Sequence, residues 1–351
     1  MGKKGSQEDA VLYKCVPEDW LWLPRPIRLA LGWCIVTLFA TSFLSIPISC
    51  ILLIPAVWRY FPVCCTVYVA LLVVSLVSPL KEWEYTRKIC QLTYEVFDFS
   101  CNLSEEERKK AIAAGDSGQY IIGMHPHGIV PIQALLWCAY CDQYMSIGDK
   151  KMYGFGAAAD VVMYIPFLRN IMAWLSGGSA SYKALYDGLT KGIAPVVNAS
   201  GRTPRHLYIL PGGIAEIFTS TPGKHIIVAK RKGLMKLALE TGAHLYPCYV
   251  FGGTDFYNNL ATGDNLLSRL SRKLRMGVAL FYGMYGLPVP YAPRVSMCLG
   301  EAVMVEKWEG EGPPPADNIA ELHRRYLDAF RELFDKYKGA AGYPDAELEI
   351  Q

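Results

Sequence analysis

The sequence predicts an α/β protein whose mixed, mostly parallel sheet is flanked by helices and preceded by an N-terminal hydrophobic helical hairpin in a membrane. Two observations predict this. After about residue 119, apolar runs of strand length alternate with runs of helical spacing, and such alternation packs as a sheet with helices outside it. Between residues 29 and 80 charge is nearly absent: none occurs from Leu29 to Trp58, and after Arg59 none from Tyr60 to Leu80.

A spanning helix needs about 20 apolar residues, so each uncharged stretch is long enough to enter hydrocarbon. The few residues around Arg59, Tyr60 and Pro62 join them as a hairpin over 29–80. Lys3, Lys4, Lys14, Arg25 and Arg28 precede it and Lys81, Arg87 and Lys88 follow it, which places both ends in the cytosol. The chain then divides into a cytosolic tail (1–28), a membrane hairpin (29–80) and a cytosolic domain (81–351). Pro47, Pro55 and Arg59 leave both a full crossing and a re-entrant dip open. The apolar region is too long for a cleaved signal peptide and runs straight into a second one.

Beyond the hairpin, Ser104 and Glu107 have capping-box spacing and predict a helix over 104–114, ended by the turn at Gly115–Gly118. Gln119–Met124 reads as a buried strand and Ile129–Tyr140 as a helix, with His125-Pro126-His127-Gly128 at their junction. A strand near Lys151–Phe155, helices near Pro166–Leu175 and Ser179–Lys191, and a strand at His206–Leu210 closed by Pro211-Gly212-Gly213 continue the pattern. A helix over Lys232–Glu240 and a strand over His244–Phe251 come next. The last element is an amphipathic helix over Ala316–Lys338, with Ile319, Leu322, Tyr326, Leu327, Phe330 and Phe334 at helical spacing. Both polar motifs fall at strand carboxyl ends, where sites gather in α/β sheets.

The chain has six histidines, and two of them, His125 and His127, share one tetrapeptide. Either has the chemistry of a general base, and spacing does not rank them. Gly128, Gly212 and Gly213 let backbone N–H groups approach a ligand, while Glu216, one turn further on, suits an imidazole or a hydroxyl. Lys230, Arg231 and Lys232 precede a helix and are suited to phosphate, with Arg205 as a further contributor; a solvated or headgroup-facing surface is the plainer use of such a run. Net charge is only +3, so no dense basic face for nucleic acid is expected. Cys138 and Cys141 form a lone CxxC inside an apolar run, read as buried thiols with no metal. Gly154-x-Gly156-x-x-Ala159 loosely matches a dinucleotide loop but has no acidic residue near twenty positions on, and is read as close packing of small residues.

Taken in order, these blocks resemble the type-2 diacylglycerol acyltransferase family, which includes monoacylglycerol and wax-alcohol acyltransferases. The family's His-Pro-His-Gly stands at His125–Gly128, its Pro-Gly-Gly-x-x-Glu at Pro211–Glu216, and its Arg-Lys-Gly-Phe block at Arg231-Lys232-Gly233-Leu234. The resemblance implies a fold similar to glycerophosphate acyltransferases and acyl transfer from acyl-CoA, the co-substrate, with no cofactor. Diacylglycerol is the implied acceptor, with monoacylglycerol or a wax alcohol as alternatives. It further implies catalysis by His125, His127 and Glu216, an endoplasmic-reticulum or lipid-droplet setting with membrane lipid as partner, and leaves a homo-oligomer open. A catalytically silent lipid-binding or lipid-droplet protein keeping the same fold is the reading from another class.

The chain departs from the pattern in places. Phe251-Gly252-Gly253-Thr254 replaces Phe-Gly-Glu-Asn and loses a carboxylate unless Asp255 supplies it. In glycerophosphate acyltransferases an Asp follows the histidine by five positions. Here that position is Val130, so an orienting carboxylate must come from elsewhere, with Glu216 the first candidate.

Overall fold

In the computed structural model, residues 10–49, 57–83, 85–104, 119–144, 146–147, 150–151, 154–192 and 206–351 are described. Besides two short ribbons, Ser146–Ile147 with Lys150–Lys151 and Asn258–Asn259 with Phe281–Tyr282, the strands are β1 (Tyr13–Lys14), β2 (Ser100–Cys101), β3 (Tyr120–His125), β4 (Gly154–Ala158), β5 (Gly177–Ser179), β6 (His206–Ile209), β7 (Ile226–Ile227), β8 (His244–Phe251), β9 (Ser296–Leu299) and β10 (Glu349–Ile350). Eight of them form one sheet in the order β1-β2-β9-β8-β3-β6-β4-β5. From β8 to β5 every neighbouring pair is parallel, whereas β8–β9 and β1–β2 are antiparallel. β7 and β10 pair outside this sheet. The sheet is therefore mixed and mostly parallel, as the alternation predicts.

The helices are α1 (Arg25–Ile48), α2 (Pro62–Val77), α3 (Tyr85–Cys90), α4 (Gln133–Tyr144), α5 (Leu168–Trp174), α6 (Tyr182–Lys191), α7 (Gly213–Thr219), α8 (Gly233–Thr241), α9 (Leu266–Leu274) and α10 (Ala316–Tyr337). Strand side chains alternate between faces. Ile122 and Met124 of β3 and Cys248 and Val250 of β8 enter a core shared with Val36 and Phe39 of α1 and Leu136 of α4. Ile121, Tyr249 and Phe251 enter a second core with Leu322, Tyr326, Phe330 and Phe334 of α10. The sheet lies between these two helical layers.

Several boundaries move for local reasons. α4 begins at Gln133 because Pro131 disfavours helical backbone in the residue before it. The strand expected near Lys151–Phe155 is met in part, by Lys150–Lys151 and by β4, a Gly- and Ala-rich segment of weak strand propensity that runs on to Ala158. Its small residues serve packing: a Cβ on Gly154 would meet the Tyr208 ring at 2.5 Å, and one on Gly156 would meet Gly177 Cα at 3.5 Å. α6 starts later than expected, at Tyr182, after Ser181 accepts a hydrogen bond from Ala184 N–H. The expected helix over 104–114 lies outside the described residues.

α1, with 24 residues, is long and apolar enough to cross a bilayer. α2 has 16 residues, about 24 Å at 1.5 Å each, short of the ~30 Å hydrocarbon thickness. α2 docks on the start of α5: Tyr68 stacks on Phe167, and Ser75 Oγ accepts from Phe167 N–H at 2.6 Å and donates to Asn170 at 2.5 Å. Two of the flanking cations are spent internally. Arg28 pairs with Glu95 at 2.6 Å and Arg87 with Glu82 at 2.7 Å, both largely buried. The ten cysteines among the described residues are free thiols, eight of them buried, and Cys138 and Cys141 are among those eight.

Candidate active site

β3 and β6 run parallel with Gly123 opposite Ile209, so the segments that follow them, His125–Gly128 and Pro211–Gly213, emerge at the same end of the sheet. His125 is the last residue of β3, and its imidazole points to the α10 side, edge-on to Phe330. α7 begins at Gly213, which places Glu216 in its first turn with the side chain directed back at the β3 terminus.

The Glu216 carboxylate is the hub. Oε1 meets His125 Nδ1 in a short hydrogen bond and accepts from Val228 N–H at 2.8 Å, while Oε2 accepts from His127 N–H at 2.6 Å. His125 and Glu216 are each only 1% exposed. A buried carboxylate is costly unless its lone pairs are used, and here three donors surround it. The carboxylate on Nδ1 fixes the ring and leaves Nε2 for an acceptor, with no hydrogen bond to Nε2 among the described residues. Gly212 makes room for this: a Cβ there would lie 1.9 Å from the Glu216 carboxyl carbon.

His127 differs. Its Nδ1 lies 2.9 Å from the Gly128 carbonyl, the ring is partly exposed, and burial of the imidazole holds its pKa below the ordinary histidine value. Gly128 has φ +65°, and a Cβ there would be 2.8 Å from the Gly253 carbonyl, so the tetrapeptide packs against the loop after β8. Gln133, fully buried at the start of α4, donates to the carbonyls of Pro126 (2.7 Å) and His127 (2.6 Å) and fixes the tetrapeptide from the other side.

The remaining predicted residues are distributed as follows. Gly213, at φ +51°, directs its N–H to Leu210 at 3.3 Å, which closes the turn. Lys230, Arg231 and Lys232 are exposed at the start of α8, two to four residues after Val228, and form no ion pair among the described residues. Arg205 lies outside the described residues. Asp255 does not reach the histidines: it accepts from Gly223 N–H at 2.8 Å, from the Thr254 hydroxyl at 3.1 Å and from the Tyr343 hydroxyl at 2.7 Å. No cluster of metal-ligating side chains occurs among the described residues.

Two contributors escaped the sequence reading. Val228 acts through a backbone N–H, which has no sequence signature. Gln133 had a faint one, as the first polar side chain in the apolar run that opens α4. A cavity of about 80 Å³, walled by Met124, Leu210, Trp137, Met172, Gly156 and Tyr208, lies on the other face of β3 from the His125 imidazole and is lined by none of His125, His127 and Glu216.

A family model described as diacylglycerol acyltransferase matches residues 52–351. The Homo sapiens protein named diacylglycerol O-acyltransferase 2 is 29% identical over 252 residues, covering 65% of this chain and 59% of the human protein. The Bos taurus protein named 2-acylglycerol O-acyltransferase 1 is 27% identical over 250 residues, covering 67% and 70%. The matched region thus spans under two thirds of the human relative's length. A solved Thermotoga maritima structure, a 1-acyl-sn-glycerophosphate acyltransferase, aligns over 88% of this chain and 97% of its own at 15% identity. Its TM-score is 0.35, too loose to transfer a residue.

Proposed function

The chain belongs to the diacylglycerol acyltransferase family, and from that premise we propose that it moves a fatty acyl group from acyl-CoA to the hydroxyl of diacylglycerol, with His125 as the base. The buried His125–Glu216 pair carries the proposal, because it supplies an oriented imidazole with one nitrogen free. Nε2 takes the hydroxyl proton as the oxygen attacks the thioester carbonyl, and Glu216 stabilises the imidazolium. The tetrahedral oxyanion collapses, the C–S bond breaks, and the imidazolium returns the proton to the departing thiolate. Oxyanion donation falls to the backbone N–H groups of Gly128 and Gly212, since that of Gly213 is engaged by Leu210. The exposed Lys230, Arg231 and Lys232 receive the coenzyme phosphates.

α1 and α2 hold the enzyme in the endoplasmic-reticulum membrane as a hairpin, with the catalytic part cytosolic and droplets as a second location. α2 is short enough to enter without crossing on its own. The lipid alcohol arrives laterally from the bilayer.

Lipid analysis after expression in cells lacking neutral-lipid synthesis tests the reaction. New triacylglycerol is the expected product, diacylglycerol would identify monoacylglycerol as the acceptor, wax ester a long-chain alcohol, and no product at all the silent lipid-binding protein. For the base, His125→Ala should lose at least about 10²-fold in turnover. His127→Ala keeps the backbone donor to Glu216 and should lose much less. Equal activity of His125→Ala and the parent would reject His125 as base.

A further inference from the structure

The outer surfaces of the two helical layers differ in character. Outside the sheet on one side, α10 presents Glu321, Arg324, Asp328 and Arg331 in exposed ion pairs. On the other side α1 and α2 carry exposed Leu38, Val63, Val67 and Val77. α9 belongs to this second layer: its Leu267 packs into the same core as Phe43 and Ile46 of α1.

α9 is a capped helix, with Asn265 Oδ1 accepting from Ser268 N–H at 2.9 Å and Ser268 Oγ accepting from Asn265 N–H at 2.9 Å. Ser268 and Ser271 face inward. Outward, Leu266 (81% exposed), Leu270 (39%) and Leu274 (48%) repeat every fourth residue and form one stripe. Arg269 and Lys273 flank that stripe, Arg272 lies on the far side of the helix and Arg275 just past its end, and all four are exposed. Asp264 engages Arg269 and Arg272, while Lys273 and Arg275 form no ion pair among the described residues. The apolar surface continues onto a neighbouring ribbon, where exposed Leu260 donates its N–H to the carbonyl of exposed Leu280 at 2.8 Å.

A short helix with leucines on one stripe and cations along its edge matches the boundary between acyl chains and anionic headgroups. We propose that α9 is a second, peripheral lipid contact, separate from α1 and α2, that docks on the anionic phospholipid surface of the bilayer. Leu266, Leu270 and Leu274 dip below the headgroups, and Lys273 and Arg275 meet lipid phosphates. α9 is braced on α7, the helix that carries Glu216: Gly277, just past α9, abuts the Ile217 side chain, and Asn259 of the adjoining ribbon donates to the Ile217 carbonyl at 2.8 Å.

The test uses the full chain reconstituted in vesicles, with a photoreactive benzoylphenylalanine in place of Leu270, of Leu266, or of Arg331 on α10 as the control. Irradiation should give phospholipid adducts at 270 and 266 and few at 331. Phosphatidylserine in phosphatidylcholine vesicles should raise the yield at 270 about tenfold, and Lys273→Glu with Arg275→Glu should reverse that gain. Because 266 and 270 report independently, misfolding of one variant does not decide the outcome. Adducts to another protein or a second copy of the chain, a lipid yield no higher than at 331, or indifference to phosphatidylserine would each overturn the proposal.

Discussion

Glu216 has both carboxylate oxygens committed, to His125 and Val228 N–H on one side and His127 N–H on the other. A carboxamide of the same shape offers one acceptor where two are used and turns an NH₂ towards an N–H donor. Glu216→Gln should therefore lower kcat about 10²- to 10⁴-fold with little change in acyl-CoA KM; a variant that keeps parental turnover would remove Glu216 from the mechanism. Gly212→Ala should act through the same carboxylate, since its Cβ would occupy the Glu216 carboxyl position, and should match Glu216→Gln in activity lost. Histidine burial gives a pH dependence as well. His127 and His225 are both held below the ordinary histidine value by burial, so each stays neutral in the fold while the unfolded chain takes up a proton near pH 6.5. Their contribution is intact above that pH and declines as the pH falls from it towards the depressed folded values. The thermal midpoint in detergent should be lower at about pH 5.5 than at about pH 7.5, with a smaller drop in His225→Phe.

At the level of elements, a two-residue strand pair supports the site. β10 lies parallel to β7, with Glu349 N–H donating to His225, Gln351 N–H to Ile227, and Ala229 N–H to Gln351, each at 2.9 Å. This clamps 225–229, and Val228 within it faces Glu216. Val228→Pro removes that donor, and deletion of 344–351 removes the clamp. Both should lower kcat more than KM, the deletion by roughly 10-fold or more, because a loosely held carboxylate orients the imidazole poorly. Normal turnover in the deletion would show that β7 holds itself. None of this was legible in the sequence, since backbone donors and two-residue strands leave no periodic pattern. The His125–Gly128 and Pro211–Glu216 segments were legible because each joins a buried strand to special residues at its end. β5 was not, and β4 only in part, because Gly154, Gly156, Gly177 and Gly178 fit the sheet by lacking side chains, while strand recognition depends on the side chains that are present.

Across the whole molecule, charge pattern divides the sequence at about residue 80, but packing does not follow that line. α1 buries Val36, Phe39 and Ala40 almost completely in the core beneath the sheet. Gly32 allows the helix to approach so closely that a Cβ would lie 2.3 Å from the Leu92 carbonyl. Val36 and Phe39 fill that core from α1, so removing the helix uncovers the β3 and β8 side chains packed in the same core. Residues 81–351 expressed alone would also lose the Ser75 contacts to Phe167 and Asn170 and leave Glu95 without Arg28. That fragment should elute as aggregate in detergent and show no cooperative thermal transition. Phe39→Ala in the full chain isolates the packing contribution. It should cost about 3–5 kcal/mol, a fall in thermal midpoint of roughly 10 °C for a chain of this size, with acyl-CoA KM unchanged at low temperature. A monodisperse, cooperatively unfolding 81–351 fragment would mean instead that α1 anchors the protein without building its core.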